Sequence, residues 1–82
     1  FSERLKIEIA VIRLLYQSDD MKKRKEELLK AIGQRVVELS EHPDRNILRD
    51  KVVTDAMSEI ESIDKNITEL KQKISEINRV TD

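Results

Sequence analysis

The chain has no cysteine, one glycine, one proline and two aromatic residues, Phe1 and Tyr16, among its 82 residues. Without cysteine there is no disulfide framework, no thiolate chemistry and no cysteine-based zinc site. That absence fits any cellular compartment, so cytoplasm is only a default. So few turn formers and aromatics argue against β-rich folds, which need branched or aromatic faces punctuated by turns. No long hydrophobic run exists either. The longest, Ile9 to Tyr16, is interrupted by Arg13 and is too short to span a bilayer. No signal-peptide pattern is present, and a start at Phe1 leads us to expect a piece of a longer protein.

What is abundant is charge, at 40% of residues, in nearly equal numbers of both signs for a net of −1. Such a level accompanies disorder when apolar periodicity is missing. Here the periodicity is sustained, and charge combined with regular Leu, Ile and Val is the composition of a coiled coil. A balanced, interspersed charge offers no footprint for nucleic acid or an acidic membrane. The run Lys22-Lys23-Arg24-Lys25 looks basic in print, but at 100° per residue its side chains point all around a helix.

Stepping along the chain at helical spacing reveals two seams. The first runs Ile7, Val11, Leu14, Ser18, Met21, Lys25, Leu28, Ile32, Val36, Leu39, with only Ser18 and Lys25 polar. The second runs Val53, Ala56, Ile60, Ile63, Ile67, Leu70, Ile74, Ile77 and is wholly apolar. Spacings of three and four in alternation define a heptad seam. Pro43 makes the one strong break, because the residue before a proline is pushed out of the helical region. The expected organisation is a single module over 1–82: a helix over about 3–41, a turn at 42–45 and a helix over about 46–80. Asp44 or Asn46 would cap the second helix. Glu26/Lys30, Glu61/Lys65 and Glu69/Lys73 would add i,i+4 support.

A short connection makes the helices antiparallel. The two seams then form a ladder that sets Leu39 near Leu48, Val36 near Val52 and Val53, Ile32 near Ala56 and Leu28 near Ile60. It continues with Lys25 beside Ile63, Met21 near Ile67, Ser18 near Leu70, Leu14 near Ile74 and Val11 near Ile77. At Lys25 the stem would pack while the ammonium reaches water. The fold class expected is therefore all-α, a long antiparallel two-helix coiled-coil hairpin, pairing into a four-helix arrangement. Two competing readings are weaker. Leu5, Ile7, Ile9 and Val11 alternate like a strand, yet the chain holds no second strand for it to pair with. Ser18-Asp19-Asp20 could cap a new helix, yet the seam crosses it without losing phase.

Residues that might carry chemistry are few. His42 is the only imidazole and has no partner for a metal site. Asp19-Asp20 and Glu26-Glu27 are adjacent in sequence and diverge on a helix, whereas paired carboxylates must converge in a dry pocket. Gly33 costs about 1 kcal/mol relative to Ala in a helix and is either a close-approach point or a tolerated surface glycine. No Gly-rich phosphate loop exists. The expectation is no catalysis, no cofactor, no metal and no small-molecule substrate.

His42-Pro43-Asp44, followed by Arg45 and Asn46, resembles the His-Pro-Asp loop of J-domain co-chaperones, with Lys22 to Lys25 on the preceding helix. The resemblance spans about five residues and implies stimulation of a partner ATPase through His42. The family's apolar positions before the histidine hold Glu41, Val37, Gln34 and Lys30 here, of which only Val37 is apolar. On the bland reading Pro43 stops one helix and Asp44 caps the next. A hairpin of this length with a proline in its turn also resembles secretion-needle subunits, whose turns carry two prolines and whose helices are less charged.

One feature exceeds the needs of a hairpin. Leu5, Ile9, Ile12 and Tyr16 form a second stripe on the first helix, on the side away from Ile7, Val11 and Leu14. It ends where the next positions become Asp19 and Lys23. The second helix covers only one face, so the open end of the hairpin is expected to expose an apolar strip about three turns long. Such a strip implies self-association, a partner helix or packing against other parts of a parent protein. Two copies meeting there by twofold symmetry, turns pointing away, would make a closed dimer. The function expected is a structural scaffold or adaptor that binds itself or another helical protein.

Overall fold

The computed structural model describes residues 2–81, with side chains through 79; Phe1 and Asp82, the ends of the expected module, lie outside them. Helix α1 spans Glu3–Leu39 and helix α2 spans Lys51–Thr81, joined through a short 3₁₀ turn at Ile47–Arg49. The two helices run antiparallel in a rod 62 Å long and about 15 Å across. No strand is present among the described residues.

Helix α1 begins where Ser2 Oγ accepts the amide of Leu5 at 3.2 Å, one of the donors a helix start leaves free. Glu3 in the first turn complements the positive end of the helix dipole. The helix passes unbroken through Leu5–Val11 and through Ser18–Asp20, so neither the strand nor the three-helix reading applies. It ends at Leu39, two residues before the expected Glu41. There Ser40 donates its amide to Val36 O and its hydroxyl to Val37 O.

The second helix starts later than the sequence suggests, at Lys51 and not near residue 46. The intervening residues form the 3₁₀ turn, whose own cap is Asn46, with Oδ1 accepting the Leu48 amide at 2.9 Å. The cap of α2 is Asp50, whose Oδ2 accepts the Val53 amide at 3.2 Å. Asp44 takes no part in capping α2, because the 3₁₀ turn separates it from that helix.

Both seams face inward. Leu28, Ala56, Ile63 and Ile67 form the buried centre, with Met21, Ile32 and Ile60 packed against them. Val53, Leu39 and Leu70 extend the core toward each end. The residues of the expected ladder are buried or half-buried on both helices, with two exceptions, Leu48 and Val52. Leu48 is 70% exposed, because the 3₁₀ turn aims it outward and not at Leu39. Of Val52 and Val53, only the second is buried. The polar seam residues are accommodated differently. Ser18 is small enough to be buried outright. Lys25 is half-buried, and its Nζ reaches Asp64 Oδ1 on α2 at 2.7 Å.

Charge pairs stitch the helices along the seam. Arg24 donates Nε and Nη2 to the two carboxylate oxygens of Glu59, at 2.7 and 3.2 Å. Arg35 grips Asp50 in a fork, with Nε at 3.1 Å from Oδ2 and Nη2 at 3.0 Å from Oδ1. The i,i+4 pairs expected at Glu26/Lys30, Glu61/Lys65 and Glu69/Lys73 do not close. Holding two long exposed side chains together costs about as much entropy as the contact returns.

Candidate interaction surface

Helix α1 must serve two environments, and its side chains divide accordingly. Facing α2, Ile7, Val11 and Leu14 are half-buried. On the far side, Leu5, Ile9, Ile12 and Tyr16 are 37, 41, 51 and 70% exposed. All four residues of the expected stripe therefore lie outside the hairpin core, on consecutive turns of one helix. Leu15, 53% exposed, joins them and completes a shallow depression with Ile12, Tyr16 and Asp19. The stripe pattern missed Leu15 because it breaks the four-three-four spacing, although it lies three residues beyond Ile12.

A second apolar feature was not legible in the sequence. Leu29, Ile32, Met57 and Ile60 line an open groove along one flank of the hairpin, with Leu48 at its turn end. Leu29 and Met57 are each about half exposed. Its apolar members belong to different elements, so only the packing of α1 on α2 brings them together.

The turn holds His42, Pro43 and Asp44 in exposed positions. The amide of Arg45 donates to the His42 carbonyl at 3.0 Å, which closes the turn around Pro43. The adjacent cleft is mixed, lined by Val37 and Leu39 as well as Arg35, Glu38, His42 and Arg45. Arg35 is committed elsewhere, to Asp50 and to Glu38 Oε2 at 2.9 Å. Hydrogen bonding to the Arg35 guanidinium, the strongest influence, holds the Asp50 carboxyl below its ordinary range, and the Val53 amide adds to this. Arg24 acts likewise on Glu59. Both shifts have a structural cause, the clasp between the helices.

The basic run is largely neutralised within the fold. Lys23 pairs with Asp19 at 3.4 Å, Arg24 with Glu59 and Glu27, and Lys25 with Asp64. No group of three or more metal-ligating side chains gathers among the described residues, and no described helix is long and apolar enough to cross a membrane. No protein-family model, curated protein or solved structure matches this chain.

Proposed function

We propose that this chain is a non-enzymatic coiled-coil interaction module, a scaffold or adaptor whose contact surface is the stripe of Leu5, Ile9, Ile12 and Tyr16. The observation that carries this reading is the exposure of all four side chains on the face of α1 turned away from α2. An apolar strip that a hairpin leaves open is a surface for another helix. The simplest partner is a second copy. Fully burying a large apolar side chain contributes about 1.5–3 kcal/mol before association costs, and the exposed parts of these four per chain supply a share of that toward a dimer. A slender two-helix rod also gains from association, since its own core barely offsets chain entropy.

Sedimentation at micromolar concentration tests the self-association. The unaltered chain is expected to be dimeric, and the double variant Ile9→Glu/Ile12→Glu monomeric with its helical circular dichroism largely kept. A strictly monomeric parent would leave only a foreign helix as occupant of the stripe. The exposed His42-Pro43-Asp44 turn between antiparallel helices favours a second reading, the J-like co-chaperone. Under it, His42→Gln abolishes stimulation of a partner ATPase. Under the first reading it leaves binding and melting unchanged.

A further inference from the structure

The exposed apolar residues of α1 occupy the outer face and one flank of the helix. Beyond the N-terminal stripe, the exposed large hydrophobics of this helix are Leu15, Leu29 and Val37. At helical spacing Val37 lies on the line of the stripe, whereas Leu15 and Leu29 lie on one flank of it, between the stripe and the inner seam. Continuing the stripe's own spacing past Tyr16 gives Asp19, Lys23, Glu26, Lys30, Gly33 and Val37. The outer face of α1 is thus one continuous line from Leu5 to Val37, apolar at its start, charged at its centre, and small or apolar at its end.

This line is complementary to its own reverse. Set antiparallel to a second copy about Met21, the middle residue of α1, Leu5 meets Val37 and Asp19 meets Lys23. Ile9 meets Gly33, where an added Cβ would find nothing within 4 Å, so a large side chain has room. Tyr16 meets Glu26, and its phenol can donate to that carboxylate. On the flanks, Leu15 meets Leu29, and Arg13 meets Glu27. Within each chain Lys23 already pairs with Asp19, so the axis gathers a neutral square of two acids and two bases. The poorest matches are Asp20 and Lys22, each of which faces its own copy on a flank of the axis beside the opposite charges of Lys23 and Asp19, and Ile12 against Lys30, where the lysine stem packs while its ammonium reaches out.

The alternatives fit less well. A parallel pairing sets Asp19 on Asp19 and Lys23 on Lys23. A twofold overlap of the open ends alone, centred between Ile9 and Ile12, opposes Lys6 to Arg13 and leaves Leu29 and Val37 bare. Like charges placed opposite one another select against a register as surely as good contacts select for one.

We propose that two copies pair antiparallel along the whole outer face of α1, with the twofold axis at Met21, so that each N-terminal stripe is covered by the Leu29–Val37 segment of the other copy. This rests on the stripe being a contact surface, and it fixes the partner, the polarity and the register. The turns then lie at opposite ends of a particle about as long as one hairpin.

Because the chain has no cysteine, a single introduced one can be spin-labelled uniquely. For Gln34→Cys, a rise of about 1.5 Å per residue puts the two labels about 40 Å apart along the axis in the proposed register. Open-end overlap gives about 70 Å, and a parallel pair gives a separation of only about one helix diameter. For Asp20→Cys the labels should be close, within about 20 Å including their linkers. Arg13→Glu should weaken dimerisation about tenfold, and adding Glu27→Arg should restore it to within about threefold. A Gln34 distance near 70 Å, or a short one, overturns the register while leaving the stripe as contact surface. Failure of the charge swap to restore binding also overturns it. A monomeric chain at micromolar concentration overturns the register and the self-association together.

Discussion

The two helices of this hairpin are nearly equal in length and differ in how many faces they ask to have covered. Helix α2 carries one apolar seam, and from Ser58 to Arg79 none of its large hydrophobics is exposed. Its outer positions are residues such as Glu61, Lys65, Thr68, Glu69 and Gln72. Helix α1 carries the matching seam and a second apolar arc behind it. A helix with one seam is satisfied by one neighbour; a helix with two is not. The difference is the ground on which outward contact is proposed for α1, with α2 backing it.

The strongest way to break this comparison is to put charge into each seam in turn. Ile60→Glu/Ile67→Glu places two unpaired carboxylates into the buried interface, and the hairpin is expected to unfold, with the helical signal collapsing at room temperature. The same substitutions at Ile9 and Ile12 should spare the helices, since those side chains reach solvent. If both pairs unfolded the chain alike, the assignment of inner and outer faces would fail.

Truncation sharpens the contrast at smaller amplitude. Ile63→Ala removes a buried side chain from the centre of the core and should cost about 2–5 kcal/mol in denaturant unfolding. Ile12→Ala, measured at concentrations where the chain is monomeric, should change stability by about 0.5 kcal/mol or less. Equal losses at the two positions would mean that the stripe is covered within the monomer.

The smallest expected effect is on acid stability. Asp50 and Glu59 are the carboxylates held below their ordinary range, each by an arginine of α1. A carboxyl depressed in the folded state contributes stability that is present above its unfolded pKa. That contribution is lost as pH falls through the lower folded value. Hairpin stability should therefore decline below about pH 4, with the slope reduced in Asp50→Asn/Glu59→Gln. The Glu59 side chain is 44% exposed and that of Asp50 only 11%, so high salt should blunt the Glu59 share of the effect more than that of Asp50. The exposed pairs Arg4–Glu8 and Lys6–Glu3 lie within α1 and do not join the two helices.

Local order alone determined much of this molecule. Three-four spacing of Ile, Leu and Val makes each helix amphipathic whatever lies next to it, and Pro43 must interrupt a helix because it lacks an amide and restricts its neighbour. The two seams, the hairpin and the outer stripe follow from those short-range rules. The connection did not follow. Ile47–Arg49 leaves the helical path for a 3₁₀ turn, and Asp50 displaces Asp44 and Asn46 as the cap of α2. Asp50 is held there by Arg35, fifteen residues back along the chain, which only packing brings within reach. The groove along Leu29 and Met57 was decided in the same way. Whether an apolar side chain ends in the core or at the surface depends on where the other helix comes to rest, and that is a property of the packed pair.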